Sequence, residues 1–180
     1  MNKTLLVGLV IIFITACNNI EQSRTEILTV SGERDTAIEK VRDLGRNLSG
    51  ELERLGYYQL ELMKPTATPP DLTPQQRTQL DQALGEFGGY NGTFARFMQE
   101  VGNFSKAFED QKPQLEAMKQ ALRKKEKFDG NLNRTLNAIR KTNEATTGKV
   151  KAWEERLAKL SAEIESKYKE IRTLKGQPTE

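Results

Sequence analysis

The chain has 180 residues, with 28 Lys or Arg against 25 Asp or Glu for a net charge of +3, one cysteine and no histidine. The lack of histidine excludes Ser-His and Cys-His catalysis, histidine metal sites and the usual proton shuttle near neutral pH. The glycines form no G-x-G-x-x-G or Walker pattern, and the acidic pair Glu154-Glu155 sits in a charged helical stretch without pocket residues, so the composition points to no enzyme and no cofactor.

The chain opens on a charged start, Met1-Asn2-Lys3, followed by the unbroken apolar run Leu5-Leu6-Val7-Gly8-Leu9-Val10-Ile11-Ile12-Phe13-Ile14. Small residues, Thr15 and Ala16, then lead to Cys17. This is the three-part layout of a secretory signal. As a helix the apolar run reaches only ~15 Å, about half of a ~30 Å hydrocarbon core, so it can engage an export machinery but cannot comfortably span a membrane.

Ile14-Thr15-Ala16-Cys17 resembles the lipobox of bacterial lipoproteins. The resemblance covers residues 1–17 only. It implies that the Cys17 thiol receives a diacylglycerol, that the chain is cut between Ala16 and Cys17, and that the new amino group can take a third, palmitate-like chain. Acylation would consume the only thiol and so exclude disulfides and cysteine-ligated metals. Each buried methylene contributes ~0.8 kcal/mol, so two or three chains anchor stably where one would not. The residue after the cysteine is Asn18 rather than the Asp that resembles an inner-membrane retention signal. The resemblance therefore implies attachment to the periplasmic face of an outer membrane, if the host is Gram-negative.

Residues 18–35 are polar with scattered apolar positions and read as a tether between lipid and domain, helical in part. Thr36-Ala37-Ile38-Glu39 offers a capping box, the side chains of Thr and Glu satisfying amide donors at a helix start. From there Ala37, Val41, Leu44, Leu48, Leu55, Tyr58 and Leu62 recur three and four apart, with a gap at Glu51. This spacing predicts an amphipathic helix over 36–63. The segment Lys64-Pro65-Thr66-Ala67-Thr68-Pro69-Pro70-Asp71 ends it, because proline lacks an amide donor and biases its predecessor to extended conformations. The connector runs over 64–73. Thr73-Pro74-Gln75-Gln76 then restarts the helix with a Thr cap, a proline at the first helical position and a Gln three residues beyond the cap.

Heptads counted from Leu80 keep one register to the C-terminus. The a positions run Leu80, Phe87, Phe94, Val101, Phe108, Leu115, Leu122 and onward to Ile164 and Ile171. The d positions run Ala83, Tyr90, Phe97, Phe104 and onward to Trp153, Leu160 and Leu174. Asp129 and Asn143 are the polar exceptions at a, with Gln111, Lys125, Thr146 and Lys167 at d. No period-two pattern competes, so the chain is all-α, its long amphipathic helices forming an antiparallel coiled-coil hairpin or a three-helix bundle. A kink is expected between Asp110 and Pro113. Phe128-Asp129-Gly130-Asn131 predicts a helix–helix turn at 129–131, giving a hairpin over 74–175 in which facing residue numbers sum to about 259, with a tail at 176–180.

Three features of the mature chain invite a functional reading. The aromatic run Phe87, Tyr90, Phe94, Phe97, Phe104, Phe108 is expected to be the core seam; its alternative is a groove for an apolar ligand. Gly85, Gly88, Gly89, Gly92 and Gly102 fall on the opposite side, where glycine costs ~1 kcal/mol relative to alanine in a helix. They predict close approach by a second helix, either 36–63 or a neighbouring molecule, the other reading being a loop over 85–92. Finally, residues 119–151 carry ten basic against three acidic side chains, net +7, so the rest of the chain is net −4. Arg123, Lys124, Lys125, Lys127 and Arg134 surround the expected turn and make a basic tip. For an exported protein its polyanions would be anionic lipid, lipopolysaccharide or cell-wall polymer, not nucleic acid. The coiled surface suits a protein partner or self-association.

Overall fold

In the computed structural model the backbone is described for residues 3–65, 71–124 and 130–177, and the side chains for 21–65, 71–124 and 131–177. Four helices follow one another: α1 Lys3–Met63, α2 Pro74–Glu109, α3 Lys112–Arg123 and α4 Gly130–Leu174. The described residues contain no strand. The long helices pack together as an all-α bundle, as the heptads require.

The chain divides into two compact units, and both draw a segment from α1 and from α4. The first comprises Met1–Lys40 and Phe104–Gly148, the second Val41–Asn103 and Lys149–Glu180.

In the second unit, Phe87, Phe94 and Phe97 from α2, Leu44, Leu48 and Leu55 from α1, and Trp153, Ile164 and Ile171 from α4 are all buried. Polar pairs at the edges of this core fix the helix directions. Glu86 meets Lys167 at 2.8 Å and Glu100 meets Arg156 at 3.0 Å, so α2 and α4 are antiparallel. Arg54 donates to the Ser161 carbonyl at 3.3 Å, Tyr58 stacks on Tyr168 with ring centroids 4.0 Å apart, and Lys175 donates to the Leu62 carbonyl, so α1 and α4 are parallel. This is up-down-up threading of a three-helix bundle.

In the first unit α1 and α4 again lie side by side. Asn143 Nδ2 donates to the Val30 carbonyl at 3.3 Å, and Arg140 lies 3.9 Å from Glu33. Its apolar cluster joins Ile27 and Val30 of α1, Leu115 of α3 and Leu132, Leu136 and Ile139 of α4, with Met118 and Leu122 packed against it.

Several boundaries depart from the sequence reading. Residues 18–35, expected as a tether, belong to α1. Thr36 therefore caps nothing; its hydroxyl donates back to the Gly32 carbonyl at 2.9 Å, as a Thr inside a helix does. The reason is packing: Ile27, Val30 and Arg34 continue the same three-four spacing N-terminal to Ala37 and are buried. At Thr73 the capping box forms as expected, with Gln76 N–H donating to Thr73 Oγ1 at 3.2 Å and Thr73 N–H to Gln76 Oε1 at 2.9 Å. The connector segment 66–70 lies outside the described residues.

The helix breaks at Asp110 and Gln111, with Pro113 in the first turn of α3. Proline has no N–H for the Glu109 carbonyl, which is why α2 stops there. α3 ends at Arg123, five residues before the expected end of that arm at 128. Gly130 and Asn131 already open α4, while residue 129 of the expected turn lies outside the described residues. Shortening this arm shifts the register. A sum of 259 would place residue 173 opposite Glu86 and 159 opposite Glu100, where Lys167 and Arg156 are found. At the far end Gly176 takes φ 66°, with Gly176 N–H on the Thr173 carbonyl and Gln177 N–H on the Arg172 carbonyl. This left-handed Schellman cap closes α4.

Candidate functional site

The aromatic run is core. Phe87, Phe94, Phe97 and Phe108 are each at most 2% exposed, so the apolar-ligand groove drawn through them is closed by the chain's own side chains. Arg156 lies over the Phe97 ring at 4.5 Å, and Trp153 donates its indole N–H to Glu100 Oε1 at 3.0 Å. Tyr90 and Phe104 are the half-buried members of the run, and burial raises the pKa of Tyr90, as desolvation of its phenolate requires.

The glycines resolve differently from expectation. Residues 85–92 are helical, yet a Cβ at Gly85, Gly88, Gly89, Gly92 or Gly102 would meet nothing within 4 Å. The expected close approach by helix 36–63 is therefore not made. Leu84 and Met98, 40% and 39% exposed, lie on the same open part of α2.

The basic residues fall at the end of the first unit that holds the apolar cluster of Ile27. Arg123 and Lys124, both exposed, follow Leu122, and Arg134, also exposed, lies between Leu132 and Leu136. Lys125 and Lys127 lie outside the described residues. Lys119 is engaged by Glu116 at 3.0 Å, which holds that carboxyl below its ordinary pKa. The cluster therefore brings Arg123, Lys124 and Arg134 to the part of α1 that leads back to Cys17. Ile27 lies ten residues beyond Cys17 on the same helix, about 15 Å at 1.5 Å per residue. Cys17 and Ala16 are within α1. Among the described residues no helix is long and apolar enough to cross a membrane, and no group of three or more His, Cys, Asp or Glu could hold a metal ion.

A buried polar layer, which the sequence reading did not single out as a site, crosses the first unit. Ser31, Arg34, Asn143 and Thr146 are each 8% exposed or less. Arg34 Nη2 donates to the Phe108 carbonyl at 2.7 Å, beside the helix break, and Nη1 reaches Asp35 at 3.1 Å. The signal was present: Arg34 falls in heptad phase with Ile27, Val30, Ala37 and Val41, as Asn143 does with Leu136 and Val150. Polar residues at such positions fix register at a cost in stability.

No family model, curated protein or solved structure matches this chain.

Proposed function

We propose that this protein is a lipid-anchored, non-catalytic component of the bacterial cell envelope. Acyl chains on Cys17 hold it to a membrane, most consistently the periplasmic face of an outer membrane, and its helical bundle serves a structural or protein-interaction role there. The observation that carries this reading is the lipobox-type sequence Ile14-Thr15-Ala16-Cys17 behind a charged start and a ten-residue apolar run. A second observation supports it. Helix α1 runs without interruption from the Cys17 region into the core at Ile27, so a lipid on Cys17 would present the bundle on a stiff stem instead of a loose tether. The test is expression in a bacterial host with a clickable palmitate analogue. Label on the wild type and none on Cys17→Ala, which should leave the membrane fraction, supports the proposal. Equal membrane recovery of both proteins without label contradicts it.

A second reading gives the basic tip a role in binding anionic lipid, lipopolysaccharide or cell-wall polymer. It is supported by the clustering of Arg123, Lys124 and Arg134 at the end of the bundle nearest the anchored end of α1. Ile27, whose cluster lies at this end, is ~15 Å from Cys17 along α1, about two Debye lengths at physiological salt. Each near-surface basic residue would then add ~1 kcal/mol. Replacing Arg123, Lys124, Lys125 and Lys127 by Gln should release the protein from anionic vesicles at lower salt. Unchanged retention would remove this reading and leave the anchor untouched.

A further inference from the structure

A groove of about 520 Å³ opens between α1 and α4 in the first unit, lined by Glu33, Thr36, Asn143, Glu144 and Thr147. Its lining is richer in hydrogen-bond acceptors than in donors. The Thr36 hydroxyl donates to the Gly32 carbonyl at 2.9 Å, and that of Thr147 to the Asn143 carbonyl at 3.1 Å. Both hydroxyls keep only lone pairs for the groove. Asn143 donates one Nδ2 N–H to the Val30 carbonyl, which fixes the orientation of its amide. Its Oδ1 is buried without a hydrogen-bond partner, and the residue is 3% exposed. Glu33 and Glu144 add two carboxylates on the exposed rim.

An acceptor-rich groove with two negative charges and an unsatisfied buried oxygen calls for a cation that carries several N–H donors. We propose that it binds an ammonium or guanidinium group, donating to Asn143 Oδ1 and held between Glu33 and Glu144. A metal fits the lining poorly, since two carboxylates fall short of a chelating cluster. Arg140 stands at the rim, but its Nε is 3.9 Å from Glu33 Oε2, beyond hydrogen-bond length, so it competes for Glu33 without filling the groove. The same chemistry could arrive as a free polyamine or as an Arg or Lys side chain of a partner protein. This inference does not depend on the lipid anchor.

The test is an NMR titration of the full chain in zwitterionic detergent, observing the Asn143 side-chain amide and the Thr147 backbone amide. Spermidine and N-acetylargininamide serve as separate probes. A saturable shift with spermidine alone assigns the site to a free polyamine; one with N-acetylargininamide assigns it to a side chain. In either case Glu33→Gln with Glu144→Gln should weaken binding about tenfold, the loss of charge-assisted hydrogen bonds, while Arg140→Gln strengthens it. Both glutamates are exposed, so an unchanged circular dichroism spectrum is expected of the double variant. Shifts that stay linear with both probes, or that are the same in the double variant, overturn the proposal. So does calcium producing the same shifts at lower concentration, which would make the groove a metal site.

Discussion

Replacing Arg34 by methionine isolates what the buried polar layer contributes. Arg34 Nη2 makes a 2.7 Å bond to the Phe108 carbonyl, whose other partner is the Gln111 N–H at 3.2 Å in a tightened turn. A hydrogen bond from a charged donor contributes ~1.5–3 kcal/mol. The Asp35 pair adds little, because that carboxylate is 70% exposed and surface pairs contribute ~0–1 kcal/mol. Methionine keeps most of the apolar stem and removes two costs: the buried charge and Arg34 Nε, which is buried without a partner. These offset part of the loss, leaving a net destabilisation of about 1–2 kcal/mol. Urea unfolding followed by far-ultraviolet circular dichroism would read this as a lower midpoint at unchanged slope. Amide exchange should accelerate at Gln111 and Asp110, which lie at the break Arg34 supports. Asp35→Asn should stay within ~0.5 kcal/mol of wild type. A methionine variant equal to or more stable than wild type would refute the reasoning, since desolvation of the guanidinium would then outweigh its bond.

Three further outcomes follow from the packing. Phe94→Ala removes a side chain that is 0% exposed and should cost ~3–5 kcal/mol in the same assay. Gly88→Ala should instead stabilise by ~0.5–1 kcal/mol, because the new methyl meets nothing within 4 Å; destabilisation would show that this face is occupied in solution. The Glu86–Lys167 pair sets a pH window. A hydrogen bond from Lys167 lowers the Glu86 pKa, so its contribution is present above the unfolded carboxylate value of ~4.3 and fades as pH falls through the folded one. Hydrogen bonds to Glu170 and then Glu86 raise the Lys167 pKa, so its contribution is complete below ~10.4 and is lost as pH rises through the folded value. Lys167→Met should flatten both limbs of the stability–pH curve.

The helical class was legible because the heptads from Leu80 to Leu174 never lose phase, and every a-position residue they made apolar from Phe87 to Leu115 is buried. The capping box at Thr73 was legible for the same local reason: three side chains suffice to specify it. The start of α1 was not. Arg34 occupies a core position, and a charged residue in the seam hides the continuity between Val30 and Ala37 until its partner, a backbone carbonyl 74 residues away, is known. The glycine stripe misled because glycine records an unfilled Cβ without recording whether anything fills the space. The acceptor-rich groove was out of reach for a related reason. It needs α1 and α4 side by side, and a sequence pattern gives the phase of each helix but not which pair of faces is left open.

Intact mass measured on the full-length gene product extracted from bacterial membranes tests the lipid anchor most directly. Acylation predicts a chain that begins at Cys17 and carries a thioether-linked diacylglycerol, with or without a third acyl chain on its amino group. A chain that retains Met1 through Ala16 with an unmodified Cys17 would contradict it.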